Sequence, residues 1–157
     1  MHREAVRLIR EAFAHDFALA GNVGIFSQNQ EEYDRLLTLS RGLTEPSDDS
    51  ARKYFLLRQP IVVESSDDAP GAIYTHLYIR KPDPSAYGQH SGDIDFVVSP
   101  EELEQILAGV DAGSYPDNVA TYEQAGVGTM VEVSGKDQGI LAYVCTEEMA
   151  EAVRFRH

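Results

Sequence analysis

The chain has 157 residues, 43% of them hydrophobic and 25% charged, a composition suited to one folded domain with its own core. Acidic residues outnumber basic ones 26 to 13, and the net charge of −13 excludes a nucleic-acid backbone and an anionic membrane surface as partners. The one cysteine, Cys145, allows no intrachain disulfide, and no apolar run approaches the roughly 18 residues of a membrane span, so a cytoplasmic protein is expected.

Residues 1–20 read as an amphipathic helix, with Val6, Ile9, Phe13 and Phe17 at spacings of three and four and Gly21 as its stop. Arg3, Arg7 and Arg10 interrupt any signal-peptide core. The helix stripe is expected to pack on the domain or across a homodimer. Val23–Ser27 reads as a strand, and Asn29 with Glu32 three residues on is a capping-box pattern for a helix running to about Arg41 and ended by Gly42. Lys53–Arg58 and Ile61–Glu64 read as two strands around Pro60, and Ile73–Arg80 as a third.

The second half repeats this order. Asp93–Val98 reads as a strand, Ser99 as an N-cap, and Pro100, Glu101 and Glu102 as a first helical turn. Leu103, Ile106, Leu107 and Val110 give the apolar stripe. Three strands are expected at about 120–123, 129–133 and 139–144, and Thr146 caps a short last helix. The caps Asn29 and Ser99 stand 70 residues apart. One domain over 1–157 is therefore expected, with a first module at 22–80, a second at 92–145 and a C-terminal helix within 146–157. The fold class is α+β: two βαβββ-type modules forming a curved, mostly antiparallel sheet with helices outside, plus the N-terminal helix. A ferredoxin-like sheet is the alternative.

The doubled module resembles the vicinal oxygen chelate (glyoxalase/bleomycin-resistance) superfamily over about residues 22–145, with DIDFVVSPEELEQILAGV similar to the opening of its second module and VGTMVEVSGKDQGILAYV to its closing hairpin. The resemblance implies a pocket on the concave sheet face and, in metal-dependent members, one ligand on each module's first and last strands. This chain offers Asn22 where a His is expected, then His76, Tyr78 or Arg80, then Asp93 or Asp95, then Ala142 where a Glu is expected.

Strand alternation defines candidate residues independently of any family. His76, Tyr78 and Arg80 share one face of the third strand; Asp93 and Asp95 oppose Ile94 and Phe96; Glu132 opposes Val131 and Val133; Tyr54 and Arg58 share a face. His76, Tyr78, Arg80, Asp93, Asp95 and Arg58 are candidates for binding an anionic or oxygen-rich small molecule, with arginine gripping a carboxylate. This gives a small-molecule-binding protein without the standard metal site. A metal-dependent lyase, isomerase or dioxygenase is the second expectation, with His76 and Glu132 holding Fe, Mn, Zn or Ni. The third is an interaction protein without such a site. The bland readings are a solvated sheet face for Asp93, Asp95 and Arg58, a hydrogen-bonded structural His76, and a Glu132–Arg80 cross-strand pair. Cys145 reads as a small buried hydrophobe. No GxGxxG, Walker A, HExxH, CxxC or GxSxG motif occurs.

Overall fold

A computed structural model describes residues 1–157, apart from the side chain of Gln138. In chain order the elements are α1 (His2–Phe13), β1 (Ala18–Phe26), α2 (Gln30–Leu43), β2 (Phe55–Val63), β3 (Ala72–Arg80), β4 (Gly92–Val97), α3 (Pro100–Asp111), β5 (Val119–Gln124), β6 (Gly128–Ser134), β7 (Ile140–Cys145) and α4 (Glu147–Ala152). The fold is α+β, with one open mixed sheet in the order β2-β3-β1-β4-β7-β6-β5.

Side-chain caps set the helix starts. Asn29, Ser99 and Thr146 each accept a hydrogen bond from the backbone amide three residues on, at 2.8, 3.1 and 3.2 Å, which satisfies an otherwise orphaned donor.

The second module is the unit β4-α3-β5-β6-β7, with β4 parallel to β7 and the others antiparallel. The first is β1-α2-β2-β3, with β1 parallel to β3, and the two modules meet along the antiparallel pair β1–β4. The first module contributes one strand fewer because the two strands expected around Pro60 are one. Strand β2 runs from Phe55 to Val63, and its pairing with β3 shifts between Leu56 and Ile61. Its place at the sheet edge lets it carry a proline, which has no amide to donate to a ladder.

The first helix is shorter than the expected 1–20. It ends at Phe13, with Ala14 in the left-handed conformation, and Phe17 lies beyond it. Phe17 still joins the same core, its ring 5.1 Å from that of Phe13. Gly21 does not stop a helix. It sits inside β1 at φ +83°, where pairing with β4 shifts, and a Cβ there would meet Thr75 Oγ1 at 3.0 Å. Gly42 likewise lies within α2.

Helices α1, α2 and α3 cover one face of the sheet. Ala5, Val6, Leu8 and Ile9 of α1 and Leu103 and Ile106 of α3 pack with Ile94, Phe96, Val131, Val133, Ala142 and Val144. Helix α4 packs on the opposite face with Phe26, Met130, Leu141, Tyr143 and Cys145. Ala142 therefore faces the three helices, and the side chains of β7 on the other face are Leu141, Tyr143 and Cys145. Among the described residues no helix is long and apolar enough to cross a membrane.

Candidate functional site

The face opposite the three helices carries the polar side chains that alternation assigned to it. At its centre β4 places Asp93 and Asp95 side by side, both buried. Gly24 on the paired strand makes room for Asp93; a Cβ there would lie 2.0 Å from its Oδ1. Asn22, also buried, ties three elements together. Its Nδ2 donates to Asp95 Oδ2 at 2.8 Å and to the Ala150 carbonyl of α4 at 2.7 Å, and its Oδ1 accepts from Arg154 Nε at 2.9 Å. Tyr54 donates to Asp93 Oδ1 at 3.3 Å.

Burial raises both carboxyls above the ordinary aspartate range. Asp95 is pushed up to about 7, by loss of water first and the charge of Asp93 second, while its bond from Asn22 opposes. Asp93 rises for the same first reason, opposed chiefly by Lys53.

The space on this face is filled by the chain itself. Tyr54, Tyr87, Tyr122 and Tyr143 converge over the two aspartates, and the hollow that remains measures about 20 Å³, room for about one water. Tyr143 donates to Glu132 at 2.8 Å, and its hydroxyl is 3.0 Å from that of Tyr87. Helix α4 and the chain after it close the face. The amides of Lys53 and Tyr54 both donate to the Arg154 carbonyl, Arg156 N donates to the Ala51 carbonyl, and the Arg52 guanidinium lies over the Phe155 ring at 4.9 Å. Four tyrosines from separate elements and a six-residue helix thus stand where an open pocket was expected. Sequence alternation names which residues face this side but not that the terminus folds across them.

The residues expected to hold a metal are far apart in the sheet. His76 is on β3 and Glu132 on β6, with β1, β4 and β7 between them. His76 is paired with Asn22 in register, and its Nδ1 lies 2.9 Å from Thr75 Oγ1. Burial lowers its pKa to about 4, and Arg154 and Arg52 add to the effect, so the ring is neutral and faces cations. Glu132 accepts from Tyr143 and Ser134. The expected alternative of a Glu132–Arg80 pair fails for the same topological reason: Arg80 pairs with Asp83 at 2.7 Å. Among the described residues no three His, Cys, Asp or Glu side chains gather as a metal site. The donor set does not fit a bound divalent ion, and Asn22, which stands where the resemblance expects a histidine, is engaged in internal hydrogen bonds. Cys145 is buried, and its thiol is pushed up by that burial.

Two adjoining cavities lie at the edge of the sheet. Strand β2 pairs with β3 only as far as Leu77, so Tyr78–Arg80 have no partner on that side. A cavity of about 450 Å³ opens in this gap between α2, the chain at 44–47 and β3, with walls that include Tyr33, Leu37, Phe55, Leu77, Tyr78 and Ile79 and with Arg41, Lys53, Arg58 and Arg156 around them. A second of about 410 Å³ adjoins it past Tyr33, Tyr78 and Arg156, and carries Arg80, Lys81 and Asp83. Both volumes fall within the ordinary range of small-molecule sites. Of the expected ligand-binding residues, Tyr78, Arg58 and Arg80 line this groove, Asp93 and Asp95 lie in the small hollow, and His76 lines neither. Tyr54 and Arg58 are separated in the same way. Arg58 donates to the Thr44 carbonyl at 2.9 Å, which holds it at the groove wall.

Lys53 is the residue that sequence reading missed. It lines both the groove and the hollow, with its ammonium 4.8 Å from the centre of the Tyr78 ring and 5.5 Å from that of Tyr54. Burial pushes it below the ordinary lysine range, Asp93 and Asp95 resist, and Arg80 and Arg156 push with the burial. Its signal in the sequence is scarcity: Lys53, Lys81 and Lys136 are the only lysines.

No family model and no curated protein matches the chain. A solved structure described as structural-genomics protein EC4020 superposes with a TM-score of 0.51 at 12% identity, over 94% of this chain and 82% of that one. A variant of Streptomyces coelicolor methylmalonyl-CoA epimerase, in complex with 2-nitronate-propionyl-CoA, gives 0.39 at 15% identity, over 83% and 98%. An integron cassette protein from the mobile metagenome of a Halifax Harbour sewage outfall gives 0.25 at 16% identity, over 79% and 96%. The first similarity is one of fold; the other two superpose too loosely to carry an argument.

Proposed function

We propose that the chain is a small-molecule-binding protein of the glyoxalase/bleomycin-resistance type whose ligand is an anion with an aromatic or apolar body, held at the β3 edge and not at the centre of the sheet. The doubled strand–helix–strand unit supports the resemblance to that superfamily. The observation that carries the ligand class is a charge inversion. Six of the 13 cations, Arg41, Lys53, Arg58, Arg80, Lys81 and Arg156, line the two adjoining cavities, against only Glu45 and Asp83 of 26 acids.

In a chain of net charge −13 such a patch focuses attraction for an anion while the rest of the surface repels it. Arg58 supplies the planar fork that suits a carboxylate, and Tyr33, Phe55 and Tyr78 supply the apolar wall.

Benzoate, titrated by calorimetry against benzyl alcohol, tests the reading. Benzoate is expected to bind and the alcohol not to. Arg58→Gln is expected to weaken benzoate about tenfold, the worth of one charge-assisted hydrogen bond, with rising salt acting in the same direction. Equal heats from the acid and the alcohol would remove the anionic ligand class.

A further inference from the structure

We propose that Lys53 is a covalent residue of this groove, forming a reversible imine with small anionic aldehydes or ketones. The inference rests on the anion-binding reading of the groove and adds the substrate class. Three observations carry it.

The first is position. Lys53 lines the groove on one side and the hollow holding Asp93 and Asp95 on the other. The second is the state of the amine. Among the described residues its Nζ has no hydrogen-bond donor–acceptor contact and no ion pair within 4 Å, and it lies against the faces of Tyr54 and Tyr78. A structural lysine in such a place would be expected to have its three donors engaged; this one is held by ring faces and remains open to a ligand. The third is the set of charged groups facing it. Asp93 and Asp95 come from β4, Arg80 from β3 and Arg156 from the chain after α4. Burial disfavours the charged forms of the lysine and of both aspartates, and the aspartates oppose the loss of the lysine's charge.

The chemistry balances without a metal or an oxidant. The ammonium gives one proton to water. The neutral amine adds through its lone pair to the carbonyl carbon. Its two remaining protons pass to the carbonyl oxygen, which leaves as water, and a C=N bond replaces the C=O bond. Hydrolysis reverses each step. Arg58 and Arg156 are placed to hold the ligand's anionic group while the carbonyl meets Nζ.

The test is reductive trapping of the full chain with glyoxylate and cyanoborohydride, whose hydride, together with a proton from water, turns the imine into a stable secondary amine. Acetaldehyde serves as the uncharged comparison. Peptide mapping then scores Lys53, Lys81, Lys136 and the α-amino group of Met1 separately, so the result does not depend on a variant folding.

Lys53 is expected to be trapped by glyoxylate at least about tenfold faster than exposed Lys136, because the cations of the groove hold the anion beside its amine. Glyoxylate is expected to outpace acetaldehyde at Lys53 and not at Lys136. In Lys53→Arg, with its fold verified by circular dichroism, the fast adduct should vanish. Adducts spread evenly over the three lysines would overturn the inference. Benzoate titrated into the same samples separates the two readings. Heat without a Lys53 adduct ends the imine and leaves the groove. A Lys53 adduct that forms equally with acetaldehyde, without benzoate heat, ends the anion groove and with it the substrate class proposed here.

Discussion

The two polar regions of this protein stand on either side of Lys53 and differ in almost every physical respect. The centre of the sheet is filled, its acids are buried and hydrogen-bonded, and its spare volume is about 20 Å³. The β3 edge is open, its charges are mostly cationic, and it encloses about 450 Å³ in the larger cavity. The centre has the residue types that suggest catalysis, yet every polar atom of Asn22 is already committed to the fold. The edge has space and unmatched charge. Clustered titratable side chains are therefore a poor guide to function when their hydrogen bonds close on one another, and unspent charge beside a cavity is a better one.

The contrast can be broken most severely at Asn22. Asn22→Ala would leave the Asp95 carboxyl and the Ala150 carbonyl each without a partner, and the Arg154 guanidinium with only its 3.5 Å bond to the Ala20 carbonyl. A loss of about 3 kcal/mol or more is expected in urea unfolding, whereas a groove substitution such as Arg58→Gln should move the unfolding midpoint far less.

A second, smaller effect sharpens the difference through pH. In the folded chain Asp95 holds its proton up to about pH 7, against 3.8 for an ordinary aspartate. The folded state therefore binds more protons in that window, and this group's contribution makes stability fall as pH rises through it. His76 acts in the opposite sense, because its folded pKa of about 4 lies below the ordinary 6.5 and the folded state binds fewer protons there. Asp95→Asn removes this group's falling contribution and leaves those of Asp93, which also falls, and of His76, which rises. The slope of the urea midpoint against pH should turn more positive between about pH 4 and about pH 7 in the variant. An unchanged slope would show that Asp95 titrates as an ordinary surface carboxylate.

The smallest effect concerns the closing helix. Thr146→Ala removes the cap on the Met149 amide and should cost about 1 kcal/mol. Hydrogen exchange should then quicken in the α4 amides before those of β4 and β7, because α4 is a short element laid onto a face built by the sheet.

These contrasts also mark where sequence reading succeeds. Helix starts were legible at Asn29, Ser99 and Thr146 because a cap is a local event within four residues. Strand faces were legible in Asp93–Val97 and Thr129–Ser134 because alternation is equally local, and Ile94, Phe96, Val131 and Val133 do face the helices. The union of two strands at Pro60 was not legible, because a proline reads as a break until the strand is known to lie at an edge. Nor was the groove. Tyr33, Lys53, Tyr78 and Arg156 are brought together only by the order of strands and by the return of the C-terminus to Lys53 and Tyr54. The metal pair failed for the same reason: His76 and Glu132 both face the expected side, but alternation says nothing of how many strands part them.

The proline in β2 has a further consequence. Leu56, Ile61 and Val62 are exposed along that outer strand, and Ile73 beside them on β3 is 58% exposed. A straight ribbon of this composition would recruit strands from other molecules and seed aggregates. Pro60 withholds a donor in mid-strand, and the shifted register around it bends the ribbon, so an incoming chain meets an interrupted row of partners. The irregularity that hides a strand from sequence reading thus also keeps a sticky margin of the molecule from being copied by its neighbours.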